Sequence, residues 1–327
     1  MANNQISTEQ FVENYNRVLG EVSKVFVGQT DVVSDLLKTV LAGGHSLLEG
    51  VPGLGKTLLV RTLARVFSLS FNRIQFTPDL MPADIIGTDI IFEDEHGKKA
   101  RQFQPGPIFA HIVLADEINR ATPKTQSALL QAMQEHMVTV SGNTYLLNEP
   151  FFVLATQNPI EMEGTYPLPE AQIDRFLTKI FISYPSQQEL LTILDQTTGA
   201  HDPQINPVLN AEQILSMRDL IREVPIAEPI KELVGKLVMA THPQNSLAPD
   251  IVKKYVRYGS SPRGGQALIM TSKVTALVTN RFAVSRDDLL KNLKIALRHR
   301  IILSFEGEAE GIDRDSILDQ VFSHVSK

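Results

Sequence analysis

Apolar positions in this chain follow two rhythms, one of strand-length runs and one of helical spacing. Phe11, Tyr15, Val18, Leu19, Val22 and Val25 share a helix face, and the pattern predicts a helix over 8–25. Val27-Gly28-Gln29 interrupts it, the helical pattern resumes over 31–41, and Gly43-Gly44 ends it. His45-Ser46-Leu47-Leu48-Glu49 is then a strand-length run, followed by a helix over 56–67 with Leu59, Leu63 and Val66 on one face. Further strand runs lie at 70–74, 111–117, 151–156 and 178–183. Ile112 to Ala115 is apolar without interruption, which suits a strand buried on both faces, as in a parallel sheet. Thr122 reads as a helix N-cap with Pro123 at the first helical position, and the helix runs to about His136. Residues 170–176 form a short polar helix holding Asp174 and Arg175.

Two hairpins interrupt this order. Ile85 to Phe92 and Ala100 to Phe103 flank the polar turn 93–99, and 137–140 and 144–147 flank Ser141-Gly142-Asn143. After Tyr184-Pro185 the strand rhythm stops. Ser186-x-x-Glu189 is a capping box opening a helix, and helical patterns follow at 211–222, 229–241, 263–280, 286–300 and 313–324. The expected architecture is an α/β nucleotide-binding domain over 1–184, with a parallel sheet covered by helices on both faces. An all-helical domain over 185–327 completes it.

Charge and composition narrow the function classes. The 327 residues carry a net charge of -6, which gives no global nucleic-acid or anionic-membrane footprint. The absence of cysteine removes disulfides and thiolate metal sites. Met1-Ala2-Asn3-Asn4-Gln5 lacks the order of a signal peptide, and no apolar run has the length of a membrane span, so a cytoplasmic protein is expected.

The candidate chemistry centres on Gly50-Val51-Pro52-Gly53-Leu54-Gly55-Lys56-Thr57, a full match to the P-loop pattern G-x-x-x-x-G-K-[ST] between a strand and a helix. A polyphosphate needs inward-pointing backbone N–H groups and few side chains in the way, which the glycines supply. Lys56 is expected to reach the β- and γ-phosphates of ATP and Thr57 to place its hydroxyl on Mg2+, with Leu58 continuing the helix whose N-terminus faces the anion. Asp116 and Glu117 end an apolar strand, at the crevice where ligands of open α/β sheets bind. Asp116 is expected to hold Mg2+ and Glu117 to polarise the attacking water.

Three further positions carry weaker signals. Asn158 ends another strand, where it can bond the attacking water or the γ-phosphate, or simply form an Asn-Pro turn. Val27, Gly28 and Gln29 are either a helix–helix turn or a source of backbone groups for adenine. Arg263 follows Ser261-Pro262 in the first turn of a helix, where the dipole disfavours a cation, and precedes Gly264-Gly265. An anion needing close backbone approach explains that pattern, and pairing with a local carboxylate is the other reading.

The order of these motifs resembles that of the AAA+ ATPases. Gly44 to Thr57, Asp116-Glu117-Ile118-Asn119-Arg120-Ala121 and Ala155-Thr156-Gln157-Asn158-Pro159 look like the MoxR family within them, and the likeness runs from about Val27 to the C-terminus. The resemblance implies that Asn158 is sensor 1, Arg175 the arginine finger and Arg263 sensor 2. It implies that the hairpins are the helix-2 and pre-sensor-1 insertions, and that the protein is a ring, usually a hexamer, remodelling other proteins. It further implies partners with von Willebrand factor A domains. A magnesium-chelatase-like motor subunit, a nucleic-acid motor and a scaffold that binds but barely hydrolyses nucleotide are the alternatives. Glu117 and Arg175 speak against the scaffold.

Overall fold

A computed structural model describes residues 6–93, 99–158, 164–199 and 203–326. Two N-terminal helices, α1 (Thr8–Ser23) and α2 (Thr30–Leu41), precede β1 (Ser46–Glu49) and α3 (Lys56–Val66). Next come β2 (Phe71–Gln75), α4 (Pro82–Ile86), the hairpin β3 (Gly87–Glu93) and β4 (Lys99–Pro105), β5 (Ile112–Asp116) and α5 (Pro123–Glu135). A second hairpin, β6 (Met137–Val140) and β7 (Asn143–Leu146), leads to β8 (Phe152–Gln157), α6 (Glu170–Ile173) and β9 (Thr178–Phe181).

The five long-range strands form one parallel sheet in the order β2-β5-β8-β1-β9. Its alternating side chains enter two cores. Leu48, Ile112, Leu114, Leu154 and Ile180 pack with α1, α2 and α3 on one face, while Leu47, Val113, Ala115, Val153 and Ala155 pack with α5 on the other. Both faces are therefore buried, as the uninterrupted apolar runs require.

The rest is mainly helical: α7 (Gln187–Thr198), α8 (Ala211–Glu223), α9 (Glu228–Ala240), α10 (Asp250–Tyr255), β10 (Val256–Tyr258), α11 (Pro262–Val278) and α12 (Arg286–Leu297). A 3-10 turn (Arg298–Arg300), β11 (Ile302–Leu303), α13 (Phe305–Ala309) and α14 (Arg314–Val325) complete it. Sequence and structure differ here. The antiparallel pair β10–β11 stands in a region expected to be wholly helical, and α10 and α13 are additional short helices. None is long enough to show a period. This helical part shares an apolar core with α1 and α2 through residues such as Ile214, Leu268 and Val274.

The hairpin reading also shifts. Ile85 and Ile86, expected in a strand, close the helical turn α4, which Pro82 starts at its first position. The hairpin itself pairs Gly87 with Pro105 through to Glu93 with Lys99, and its tip, 94–98, lies outside the described residues, as do Met1 to Gln5 and Pro159. Ser141 and Gly142, both at positive φ (50° and 85°), turn the second hairpin. The two hairpins meet where Phe103 stacks on Tyr145, ring centroids 3.9 Å apart.

Candidate active site

The parallel register puts the C-terminal ends of β1, β5 and β8 in one row: Leu48 pairs with Thr156, Glu49 with Gln157, and Ala115 with Ala155. The P-loop leaves that row. A Cβ at Gly50 would stand 2.7 Å from the Ile182 carbonyl oxygen, so only glycine fits where the loop passes β9. Gly55 sits at φ 76° as the N-cap of α3, a left-handed conformation that L side chains rarely adopt. Pro52 and Gly53 are exposed, Leu54 and Thr57 half-buried, and Leu58 exposed in the first turn of α3. Lys56 donates to the carbonyls of Gly50 (2.5 Å) and Val51 (3.4 Å). Burial lowers its pKa, while the charges of Asp116, Glu117 and Glu49 oppose that shift.

Asp116 is buried, and both its oxygens are engaged. Oδ1 accepts from Thr156 Oγ1 at 2.6 Å, and Oδ2 accepts from Arg73 Nη2 at 2.6 Å and Nε at 3.0 Å. Glu117 sits in the left-handed region, φ 57° and ψ 49°, a strained conformation for a non-glycine residue that is common at functional sites. Its N–H donates to Thr156 Oγ1 at 2.8 Å, and its Oε2 accepts from Gln75 Nε2 at 2.9 Å and Arg120 Nη1 at 3.1 Å. Asn158 is buried directly beyond β8, in the same row of strand ends. The sequence reading missed Arg73, Gln75, Arg120 and Thr156. Arg73 and Gln75 alternate on β2 and Thr156 ends β8, so the signal was a polar side chain at each neighbouring strand end.

The donor set fits Mg·ATP. Carboxylate and hydroxyl oxygens at Asp116, Glu117 and Thr57 are the ligands a hard cation takes, and Lys56 with a glycine loop at a helix N-terminus is an anion cradle. Val27-Gly28-Gln29 lies in the turn between α1 and α2. The Gln29 N–H is taken by Glu189 Oε1 of α7 at 3.2 Å, and Gly28 (φ 70°) lies against that carboxylate, so this amide is committed within the chain. The Gln29 Oε1 atom is buried without a hydrogen-bond partner.

Arg175 and Arg263 lie elsewhere. Both line a small cavity of about 110 Å³ with His45, Met133 and Gln134. His45 directly precedes β1 and Gly50 directly follows it, so the main chain at the cavity and at the P-loop is separated by about 16 Å at the strand rise of about 3.3 Å per residue. Arg175 precedes β9, whose first residue Thr178 pairs with Ser46 at the start of β1. Its Nη1 donates to the Leu130 carbonyl at 3.1 Å, and its Nε is buried without a partner. Arg263 Nη1 stands 3.7 Å from Asp174 Oδ2, so the carboxylate reading of Arg263 is met. At Gly264 the structure supplies a packing reason of its own: a Cβ there would stand 2.0 Å from Ser260 Oγ, 2.7 Å from Leu297 and 2.9 Å from Arg300.

A five-stranded parallel sheet with a P-loop, carboxylates at a neighbouring strand end and a helical lid together define an AAA+ ATPase. Residues 45–178 match the model of the ATPase family associated with various cellular activities, and 249–321 match an AAA lid domain. The chain belongs to the MoxR family of these ATPases: it is 41% identical over 315 residues to chaperone MoxR1 of Mycobacterium tuberculosis, covering 96% of this chain and 82% of that one. It is also similar to protein YeaC of Bacillus subtilis, 42% identical over 322 residues and 96% of each chain. In structure it superposes on a crystallised ATPase-like protein of Cytophaga hutchinsonii with a TM-score of 0.90 at 41% identity, covering 97% of this chain and 96% of that one. Among the described residues no helix is long and apolar enough to cross a membrane.

Proposed function

We propose that the chain works as a ring, hexameric as in its family, whose ATP sites are completed between subunits, and that hydrolysis drives remodelling, assembly or activation of another protein complex in the cytoplasm. The observation that carries this reading is the separation of the P-loop from Arg175 and Arg263, at opposite ends of β1. A guanidinium there is too far from the phosphates held by its own Lys56, and a neighbouring subunit brings the two ends together. The chaperone name of the M. tuberculosis relative supports the remodelling part.

In this reading Lys56 and the P-loop amides hold the β- and γ-phosphates, and Thr57 and Asp116 hold Mg2+, which when bound neutralises phosphate charge. Glu117 takes the proton of the attacking water and Asn158 orients that water. Arg175 and Arg263 of the next subunit stabilise charge on the transferring phosphoryl group. The hairpins expose Ile91 (68%) and Leu146 (76%) and offer an apolar surface to a client, while a protein with a von Willebrand factor A domain is the partner class the family suggests.

Mixing two inactive variants tests the shared site. Arg175→Ala subunits keep a live pocket but donate no finger, and Glu117→Gln subunits donate a finger but cannot activate water. Reassembled together, they are expected to recover part of the ATPase activity that each lacks alone. Co-assembled mixtures without recovery would refute the shared site.

A further inference from the structure

Two arginines from different parts of the chain converge on one cavity, and a single half-buried carboxylate, Asp174, lies beside both. Asp174 immediately precedes Arg175. Its Oδ1 accepts from Arg300 Nε at 2.8 Å and from Ser261 Oγ at 2.8 Å. Its Oδ2 accepts from Ser261 Oγ at 2.9 Å and faces Arg263 Nη1 at 3.7 Å. Ser261 is also the N-cap of α11, accepting from the Arg263 N–H at 3.2 Å.

Arg300 makes the larger contribution. Its side chain is only 2% exposed. Besides the carboxylate, it donates to the backbone carbonyls of Asp174 (3.0 Å), Phe176 (2.7 Å) and Leu177 (3.3 Å), and to that of Ala296 near the end of α12. Those first three carbonyls bracket Arg175. His299 adds a bond from Nε2 to the Phe176 carbonyl at 3.0 Å. The close fit of Gly264 against Arg300 Cδ leaves the guanidinium little room to move. Burying a guanidinium is costly, and apolar contacts alone can dock a helical domain. What a planar fork of donors adds is direction: it fixes the main chain around residue 175 and the carboxylate beside it in one geometry. Arg175 needs such help, because its own side chain is held by one bond, to Leu130.

We infer that Arg300 is a positioning residue for the finger: through Asp174 and the carbonyls around residue 175 it holds Arg175 and Arg263 as one unit, so that the helical domain carries both to the neighbouring nucleotide together. This rests on the shared-site reading above. It also means that a movement of the helical domain in one subunit re-aims the cations that subunit donates.

The test places Arg300→Lys, which keeps the charge but loses the fork, on either side of the mixed ring. In Glu117→Gln donor subunits it is expected to lower the recovered kcat by about tenfold to 10²-fold, the scale of a displacement of about 1 Å near a reacting group. The KM for ATP should stay at the parent value, since the pocket belongs to the other subunit. In Arg175→Ala acceptor subunits, which have no finger to aim, recovery should match the parent mixture. Ser261→Ala leaves the Arg300–Asp174 pair intact and should give a smaller loss on the donor side only. It decides the matter if Arg300→Lys fails to co-assemble. Equal recovery with every donor, or equal loss from either side, overturns the positioning role while the shared site stands. A parent mixture without recovery overturns both.

Discussion

At the C-terminal end of β1, β5 and β8 the chain sets Lys56 under a glycine loop, beside Asp116 and Glu117, whose carboxylates are paired with Arg73 and Arg120. At the opposite end, beside the starts of β1 and β9, Asp174 pairs with Arg263 and Arg300, and Arg175 follows it in the chain. The first end carries the phosphate cradle, with Arg73 and Arg120 already paired to its carboxylates, and the second carries Arg175 and Arg263 away from that cradle. In the shared-site proposal neither end is complete by itself, and the two are complementary. In the proposed ring a subunit separates binding from transition-state stabilisation, and assembly joins them.

The largest effect expected from breaking this comparison is at Arg175. Arg175→Ala should lower kcat by roughly 10³-fold, the lower range for an arginine supplied in trans, while ATP affinity measured on dissociated subunits by calorimetry stays unchanged. A weakened affinity there would place Arg175 in its own pocket. At the other end, Glu117→Gln should lower turnover by roughly 10²- to 10³-fold with nucleotide binding retained, because a general base is lost and the phosphate cradle is not. Lys56→Ala in the same titration should lose the binding itself.

Much of the first end was legible in the sequence because it is local. The P-loop carries its own glycines, Lys56 and Thr57 in one stretch, and Asp116-Glu117 closes an apolar run that announces a buried strand. Its outer contacts were not. Arg73 and Gln75 reach the two carboxylates only because β2 lies beside β5 in a register that pairs Gln75 with Asp116. The second end was legible only as residue types. Asp174 and Arg300 are 126 positions apart, and nothing in local spacing says that the pair brackets Arg175. Short elements were lost for another reason: β10, β11, α10 and α13 are too brief to express a period, and Pro82 turned Ile85 and Ile86 into a helical turn.

A smaller effect concerns charge at the cation end. His45 is buried, with Nε2 facing the Met133 carbonyl at 2.9 Å and Nδ1 accepting from the Val153 N–H at 3.0 Å, an arrangement that requires the neutral ring. Burial lowers its pKa from 6.5 to about 4, against the hydrogen bond to Met133, and His136 and Arg218 lower it further. Above pH 6.5 both folded and unfolded chains carry it neutral and its contribution is complete. As pH falls toward 4 the unfolded chain takes up a proton that the folded chain does not, so stability is lost, by about 3 kcal/mol at the end of that window. His299 is shifted the same way by burial and adds to the slope. Urea unfolding at pH 7 and pH 5 should show the loss, and His45→Gln should flatten it. A slope unchanged by that substitution would remove His45 from the account.

The smallest expected effect is at Gln75, which donates to Glu117 Oε2 from the neighbouring strand. Gln75→Ala leaves Arg120 on the same oxygen, so kcat should change by only about two- to fivefold, the worth of one hydrogen bond of about 1 kcal/mol or less. Steady-state ATPase assays resolve that. A loss as large as that of Glu117→Gln would make Gln75 part of the reacting group's machinery.

The central claim is that each subunit's arginines serve its neighbour, and a cryo-electron-microscopy structure of the Glu117→Gln ring with Mg·ATP tests it most directly. The expected result is Arg175 within hydrogen-bond distance of a γ-phosphate cradled by Lys56 of the adjacent subunit, with Asp174 still joined to Arg300 behind it. Arg175 left on its own Leu130 carbonyl in every nucleotide-filled interface, or found on the phosphate held by its own Lys56, would contradict it.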